Sequence, residues 1–231
     1  MKYDPMPTSS QVRLSRLTSI RGSNWIMGRS LMPIVRKWGS YRYEDVLDWG
    51  CGSSPFRQFF VRTRNYIRVD KIAIDGEIIV AVDERIPLPD QSADVILVSQ
   101  ALGDVPDLDL FFREMRRVLR TRGKVFVIET MCYPEHDLPD DYYRVMPNGL
   151  QWHARNNGFR CVEIQRLGGL FCRLAQLVNT FVLGWLKRVA VLRIIAEAGV
   201  CLVNTACWIA DRACPRPTLA PDYAATLEKV V

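Results

Sequence analysis

A glycine-rich turn at the end of an apolar segment constrains the fold of this chain more than any other feature. Two apolar residues lead into Asp48, and the turn that follows contains Gly50 and Gly52. Glycine adopts backbone angles closed to other residues and lets a ligand approach the main chain closely. The pattern predicts a buried strand, a tight turn and a helix over residues 55–64, whose free N–H groups would face the same point. A tight turn also needs glycine in proteins that bind nothing, so this motif alone leaves a ligand site and a structural turn equally open.

Strand and helix patterns alternate after this turn. A short strand over residues 66–70 ends in Asp70, at the distance where dinucleotide-binding folds place the acid that holds a ribose. Further strands are predicted over residues 78–82, 95–98 and 124–129, and a helical pattern ending at Leu119 precedes the last of them. Strands that alternate with helices predict a parallel sheet buried on both faces.

Five segments in succession resemble the motifs of class I S-adenosylmethionine-dependent methyltransferases. The segment from Asp48 to Gly52 is similar to the first motif of that family, and Asp70 stands at its ribose-binding acid. Residues 86–94, 102–107 and 114–119 resemble the family segments L-P-F-P-D-x-S-F-D, L-E-H-V-P-D and E-x-x-R-V-L. The likeness extends over about residues 44–165, and it is the order of the motifs that identifies the family.

This resemblance implies a Rossmann-like, doubly wound α/β fold with a seven-stranded sheet, and S-adenosylmethionine as the cofactor. Asp48 and the two glycines would shape the methionine pocket, Asp70 would bind the ribose, and Asp83 would meet the adenine amino group. The full set of cofactor-binding candidates is Asp48, Gly50, Gly52, Ser54, Asp70, Lys71, Asp83, Ser99 and Gln100. We expect no metal site.

The chain departs from the family pattern in three places. Ser54 replaces the third glycine of the first motif, and as a cap of the predicted helix it would still reach the cofactor. Gly103 and Asp104 stand where the family has a Glu-His pair, which removes the basis for copying a catalytic role to that loop. Residues 121–123 replace a Pro-Gly-Gly turn, and we expect this change to affect only a surface turn.

A polar loop after the fifth strand is the candidate catalytic region. It contains His136, Asp141, Tyr143 and Arg144, and it is similar to the H-x-x-P-x-D-Y-Y-R segment of methyltransferases associated with bacterial surface glycans. Loops at the carboxyl ends of parallel strands face the ligand crevice. Histidine titrates near neutral pH, which makes His136 a candidate general base. The alternative is that these side chains only brace and pack the loop. His153, in a predicted amphipathic helix, is assigned a structural role.

Two apolar helical patterns precede the last strand. Together with the family resemblance they predict a helical hairpin inserted before a closing strand that begins near Asp222. We therefore expect four segments, which are a basic arm and helix at 1–42, a methyltransferase core at 43–166, an apolar insertion at 167–218 and the closing strand at 219–231.

Three roles remain open for this hairpin. Thirteen uncharged residues separate Arg173 from Lys187, and Glu197 interrupts the second apolar stretch, whereas a bilayer-spanning helix needs about twenty apolar residues. We expect no simple transmembrane span. The hairpin could lie in an anionic membrane surface, pack on the sheet or form a homodimer. The basic arm before Tyr43 could likewise meet an anionic partner or pack beside the cofactor site, although we do not expect nucleic acid as a partner.

Composition fits a single catalytic domain with additions. The 231 residues contain seven cysteines without C-x-x-C pairing, and no secretory signal is evident, so we expect a cytoplasmic protein, peripheral at the inner face of the membrane if the hairpin binds lipid. By resemblance, the predicted function is methyl transfer to a hydroxyl of a glycan or lipid-linked sugar. The alternatives are a hydrophobic small-molecule acceptor of the quinone or polyketide type, and a non-catalytic scaffold subunit.

Overall fold

The computed structural model describes residues 14–22, 24–73, 75–81, 85–136, 138–186 and 190–230, and the side chains of residues 15, 16, 183–186 and 190–193 lie outside that description. The helices are α1 (Leu14–Thr18), α2 (Trp25–Gly39), α3 (Leu108–Val118), α4 (Pro147–Asn156), α5 (Leu170–Leu186) and α6 (Ala190–Ala213). The strands are β1 (Tyr43–Trp49), β2 (Thr63–Asp70), β3 (Ile78–Val80), β4 (Ala93–Ser99), β5 (Leu119–Thr130), β6 (Phe159–Leu167) and β7 (Asp222–Lys229).

The seven strands form one sheet in the order β3-β2-β1-β4-β5-β7-β6. Strand β1 pairs in parallel with β2 on one side and with β4 on the other, and the pairs β2–β3 and β4–β5 are also parallel. The chain therefore winds outward in both directions from β1, and a doubly wound sheet of this kind holds ligands beyond the carboxyl ends of its strands at that reversal point. This architecture confirms the predicted α/β fold.

Helices pack on both faces of the sheet, which explains why the sequences of its central strands are continuous apolar runs. Leu47 of β1 is fully buried, and its neighbour Trp49 meets Phe111 of α3 with ring centroids 4.9 Å apart. Trp38 of α2 stacks on Phe126 of β5 with centroids 4.5 Å apart. The core thus lies on both sides of the sheet, and the strand ends remain free to shape a site.

The predicted helix over residues 55–64 is wrong. The segment forms a single 3-10 turn at Arg57–Phe59, and β2 begins at Thr63. The thirteen residues between Trp49 and Thr63 form the glycine turn, the 3-10 turn and the short hydrogen-bonded turns on either side of it. The turn therefore lacks a helix N-terminus, and Ser54 cannot act as the cap of one.

The chain forms two compact units. The sheet unit comprises Val35–Gln165 and Tyr223–Val231, and the helical unit comprises Arg13–Ile34 and Arg166–Asp222.

Buried polar side chains organise the helical unit. Asn204 of α6 is fully buried, accepts a hydrogen bond from the Asn179 amide of α5 at 2.8 Å, and donates to the carbonyls of Ile20 and Gly22. Asp211 accepts hydrogen bonds from three backbone N–H groups at the start of α5, those of Gly169, Phe171 and Cys172. These bonds fix which faces of α5 and α6 point inward, because each would leave a buried group unpaired if a helix rotated.

Candidate active site

The glycine turn after β1 has the backbone that its sequence predicts. Gly50 and Gly52 have φ angles of 61° and 47°, in the left-handed region that residues with a Cβ rarely adopt. A Cβ on Gly50 would lie 2.5 Å from the Cβ of Ala101, in the loop after β4. Glycine is required there both for the turn and for the close approach of the two loops at the reversal point of the sheet.

Asp48 is a buried carboxyl at the base of the turn. It is 2% exposed, and its Oδ2 accepts a hydrogen bond from the Tyr66 hydroxyl at 2.8 Å. Burial raises the pKa of Asp48 to about 7, although the hydrogen bonds from Tyr66 and Ser54 oppose that shift. A cationic group bound nearby would favour the ionised form. Asp48 is therefore suited to hold the ammonium group of a ligand.

Asp70 ties the end of β2 to the turn. Its Oδ2 accepts from the Gly52 N–H at 2.8 Å, and its Oδ1 accepts from the Ile72 N–H at 3.1 Å. A carboxylate oxygen has two acceptor positions, so both oxygens can still receive ligand hydroxyls. Asp48, Asp70 and the two glycines thus meet at the adjacent ends of β1 and β2.

The other predicted cofactor-binding residues follow β2 and β3 in the sequence or lie at the end of β4. Ser99 ends β4 beside β1, and Gln100 follows with a φ of 54° and donates its N–H to the Ile128 carbonyl at 2.7 Å. The Lys71 ammonium donates to the Asp104 carbonyl at 2.8 Å. Asp83 lies outside the described residues.

Arg68 is a residue of the site that sequence reasoning missed. It is 7% exposed, and its guanidinium donates to the Ser54 hydroxyl at 2.8 Å, to the Gly52 carbonyl at 3.3 Å and to both carboxylate oxygens of Asp75. Ser54 is therefore a hydrogen-bond acceptor for Arg68. The available signal was a charged residue in the apolar run of β2, two positions before Asp70.

Glu129 positions the loop after β4. It is 3% exposed at the end of β5, and its Oε1 accepts from the backbone N–H groups of Ala101 and Leu102 at 3.1 and 2.9 Å. The next residue, Gly103, accepts from the Tyr142 and Tyr143 N–H groups through its carbonyl. A Cβ on Gly103 would lie 2.8 Å from the Tyr143 carbonyl oxygen, so the loop needs glycine where the family has a bulkier residue.

The loop after β5 brings three of the four predicted catalytic residues into one network. Arg144 forms a two-pronged ion pair with Asp141, whose pKa it holds below the usual range. The Asp141 Oδ2 also accepts the His136 backbone N–H at 3.0 Å. The side chain of Tyr143 lies apart from this network, because its hydroxyl donates to the Pro106 carbonyl at 3.0 Å, although its backbone carbonyl accepts from Arg144 at 2.9 Å. Asp141 and Arg144 thus brace the loop and hold His136 within it.

The surroundings of His136 favour one tautomer. Its side chain is 8% exposed, and Nδ1 lies 3.1 Å from the Pro134 carbonyl and 3.5 Å from the Asp141 Oδ2. An Arg144 nitrogen also lies 3.3 Å from Nδ1, which would suit the opposite tautomer. We assign the proton to Nδ1, because that guanidinium nitrogen already donates to the Tyr133 and Pro134 carbonyls and to Asp141. The lone pair then lies on Nε2, where it can accept a proton.

One donor from each of Asp104, His136 and Asp141 lies within 4.8 Å of the other two, close enough to hold a cation. The Arg144 guanidinium already pairs with both oxygens of Asp141, however. That fixed positive charge favours a hydrogen-bonded network over a metal site.

An open groove of about 840 Å³ lies along the same loop, between the start of α3 and α4. Tyr142, Tyr143 and Met146 present partly exposed side chains to it. His153, at one end, is 2.8 Å from an Asp109 carboxylate oxygen, which links α4 to α3 and fits the predicted structural role. The groove is therefore the candidate acceptor site.

Comparisons with known proteins agree with this architecture. The sequence model of a family described as a methyltransferase domain matches residues 47–127. The ubiquinone/menaquinone biosynthesis C-methyltransferase UbiE of Shewanella sp. (strain ANA-3) is 38% identical over 60 residues, which is 26% of this chain and 24% of that protein. The demethylmenaquinone methyltransferase of Lactobacillus johnsonii is 34% identical over 68 residues, 28% of each chain. This chain therefore spans about a quarter of the length of these curated relatives.

Solved structures support the same fold over almost the entire chain. The [4+2]-cyclase SpnF has a TM-score of 0.56 at 17% identity and covers 98% of both chains. The 1,6-didemethyltoxoflavin-N1-methyltransferase of Burkholderia thailandensis, solved with S-adenosylhomocysteine, has a TM-score of 0.55 at 15% identity and covers 89% of this chain and 79% of its own. Identities this low show the fold alone, and one of the two names is that of a cyclase, so the reaction must be argued from the site. Residues 47–127 therefore match a methyltransferase domain, and the strand order and the glycine turn at the reversal point are those of a Rossmann-like α/β fold.

Proposed function

We propose that the protein binds S-adenosylmethionine at the ends of β1, β2 and β4 and transfers its methyl group to an acceptor atom that gives up a proton. The observation that carries this proposal is the meeting of buried Asp48, the two left-handed glycines and Asp70 at the reversal point of the sheet. Asp48 would hold the methionine ammonium, and Asp70 would hold the ribose hydroxyls. The glycines admit the ligand against the main chain.

The described residues fit this cofactor in charge as well as shape. S-adenosylmethionine carries its methyl group on a sulfonium, a good leaving group, so positioning and exclusion of water can supply much of the catalysis. Asp48 is buried with a raised pKa, and a bound ammonium would stabilise its ionised form. Ser99 and Gln100, at the end of β4, would line the floor of the same crevice.

His136 would act as the general base in this reaction. The Pro134 carbonyl and Asp141 hold Nδ1 and orient the ring, and Nε2 would take the acceptor proton as the methyl group is transferred. Asp141 and Arg144 would act as positioning residues for that ring.

We propose an acceptor that carries a transferable proton, with two sources supported by different observations. The curated relatives are quinone C-methyltransferases, which favours a quinol-type ring. The groove is lined by Tyr142 and Tyr143 together with Asp107 and Asp109, residue types that suit the stacking and hydrogen bonding of a sugar. All seven cysteines are free thiols, which supports action in a reducing cytoplasm.

Turnover of radiolabelled S-adenosylmethionine by the purified protein tests this function. One arm supplies demethylated quinols and the other supplies lipid-linked sugars from cell-envelope extracts. Label in the quinol supports the first source, and label in the sugar supports the second. Calorimetry on the same preparation measures cofactor binding. Folded protein that does not bind the cofactor would refute the proposal, and cofactor binding without turnover in either arm would favour a scaffold subunit.

A further inference from the structure

We propose that the helical unit docks on the surface of an anionic lipid bilayer through the outward faces of α5 and α6. The inference stands independently of the methyl-transfer reaction, because it rests on the surface and charge of this unit alone.

The inward faces of the two helices are already occupied by the rest of the unit. Trp25 and Ile26 of α2 form a buried cluster with Cys172 and Ala175 of α5, and the side chain of Trp208 of α6 packs against it. Along α6, the buried positions are Ala196, Val200 and Asn204, spaced by one helical turn. Residues at this spacing lie on one face of a helix, so this face packs against the core of the unit. The other faces of α6 are available to contact a partner or solvent.

The outward faces are apolar and have no partner among the described residues. Leu174, Val178 and Phe181 of α5 follow a helical spacing and are 47%, 49% and 72% exposed. On α6, Ile195, Leu202 and Ile209 recur every seven residues and are 63%, 74% and 56% exposed. Scattered apolar residues are ordinary on a protein surface, but rows of them along two adjacent helices indicate an interaction surface.

The charge of the unit identifies the occupant as an anionic surface. Residues 13–34 and 166–222 contain eleven lysines and arginines against three acids, a net charge of +8, whereas the remainder of the chain has 20 basic and 22 acidic residues. Two of those three acids are engaged internally, because Asp211 accepts the N–H groups at the start of α5 and Glu197 lies 3.7 Å from Arg21. Lysine and arginine next to an apolar helical face attract acidic lipid headgroups.

Arginine and tryptophan lie together at one end of α6. The Arg212 guanidinium lies 4.1 Å from the centroid of the Trp208 ring, and that of Arg29 lies 4.9 Å from the same ring. Tryptophan is enriched at the headgroup level of bilayers, where arginine can pair with lipid phosphate. This cluster marks the edge at which the apolar faces would enter the interface.

Surface binding fits these contacts better than a membrane span. Residues Ile194–Ala213 of α6 are long and apolar enough to cross a bilayer by length and composition. A span would break the bonds of Asn204 and Asp211 to the rest of the unit, and each lost bond would leave a polar group unpaired in lipid. A second copy of the chain is also disfavoured, because it would bring another +8 unit against the same face.

Co-sedimentation with vesicles tests the proposal. We expect the protein to bind phosphatidylcholine vesicles that contain phosphatidylglycerol, to lose part of that binding as salt rises, and to bind pure phosphatidylcholine weakly. Phe181→Ser combined with Leu202→Ser should lower affinity for anionic vesicles by about tenfold or more, because two large apolar side chains no longer leave water. Val61→Ser combined with Trp152→Ser is the matched control, since both residues are exposed on the sheet unit.

A charge variant keeps the test valid if the serine pair fails to fold. Arg212→Gln combined with Arg216→Gln should weaken binding to anionic vesicles and flatten its salt dependence while leaving the weak binding to neutral vesicles unchanged. Wild-type protein that ignores both kinds of vesicle would overturn the proposal. So would a wild-type dimer in light scattering that Phe181→Ser and Leu202→Ser convert to a monomer. Cofactor binding, measured on the same preparations, separates either failure from that of the proposed reaction.

Discussion

Asp48 and Asp70 end neighbouring strands, yet their surroundings give them different chemistry. Asp48 is buried beneath the turn and shares a hydrogen bond with Tyr66, whereas Asp70 stands at the rim and accepts two backbone N–H groups. Burial penalises the charge on Asp48, whereas Asp70 is only partly buried and keeps acceptor positions for further donors. One carboxyl therefore suits a cationic ligand group, and the other suits hydroxyls.

Asp70→Ala should weaken binding of S-adenosylmethionine by about tenfold or more, since a hydrogen bond to a charged group contributes about 1.5–3 kcal/mol. Calorimetry measures the change. Glu44→Ala is the control, because Glu44 is an exposed acid near the opposite end of β1. Equal cofactor affinity of Asp70→Ala and wild type would show that Asp70 only fastens the turn.

His136→Ala should lower kcat by about 10² or more and leave cofactor affinity nearly unchanged, because general base catalysis typically contributes that much. A wild-type kcat in His136→Ala at saturating acceptor would assign His136 to bracing alone.

The strands of the sheet could be predicted from this sequence, but the connection between β1 and β2 could not. The run Val95–Val98 has no polar interruption and is rich in β-branched residues, which favours a strand buried on both faces. Residues 55–64 also contain apolar side chains at helical intervals, yet they form only one 3-10 turn, at Arg57–Phe59. The spacing of apolar residues therefore did not specify this connection.

In the candidate site, contacts between residues close in sequence could be predicted, and contacts between distant residues could not. His136, Asp141 and Arg144 lie within nine residues of one another, so their meeting could be predicted from sequence proximity. The contacts of Arg68 with Ser54 and of Glu129 with Ala101 each join a strand residue to the loop that follows a different strand. Such contacts depend on strand order and register, which residue patterns do not specify.

Arg68 stabilises a turn that has no helix behind it. Arg68→Met should weaken cofactor binding and lower the free energy of unfolding by about 1–3 kcal/mol, because the Ser54 hydroxyl and the Gly52 carbonyl lose a buried donor. Arg68→Lys should restore part of the stability but little of the binding, since an ammonium cannot reproduce the planar fork. Calorimetry and thermal unfolding measure the two effects.

Arg57→Met is the matched control for this change. Arg57 is half-exposed and pairs with Glu77 on the surface at 2.9 Å, an interaction that contributes about 0–1 kcal/mol. Cofactor affinity that is the same in Arg68→Met, Arg57→Met and wild type would contradict the role assigned to Arg68.

The two units of the folded chain differ in net charge. The basic excess lies in the helical unit, and the sheet unit is close to neutral. Within the sheet unit, arginine partners hold the pKa of Asp141 and of Glu114 below the usual range. These carboxylates stabilise the fold above about pH 4 and lose that contribution as they are protonated.

Asp48 has the opposite effect on stability. Its pKa is raised to about 7 in the fold from an ordinary 3.8, so the folded state holds the proton more tightly than the unfolded state. Its contribution is most favourable below about pH 4 and is lost progressively as pH rises to about 7. The loss is on the order of 4 kcal/mol for a shift of about three pKa units. Without cofactor, ionisation of Asp48 should therefore destabilise the fold as pH rises through about 7.

Asp48→Asn isolates this effect, because asparagine keeps an oxygen for the Tyr66 hydroxyl and cannot ionise. The difference in unfolding free energy between the variant and the wild type should shift in favour of the variant as pH rises from about 4 to 7, and then level off. Urea unfolding at a series of pH values measures this difference. Asp141 and Glu114, whose pKa values are lowered, are present in both proteins, so their contributions cancel in the difference. We expect the same substitution to weaken cofactor binding, since the ammonium loses its partner. A stability difference that stays constant over this pH range would show that Asp48 is ionised throughout and that its burial is compensated by its hydrogen bonds.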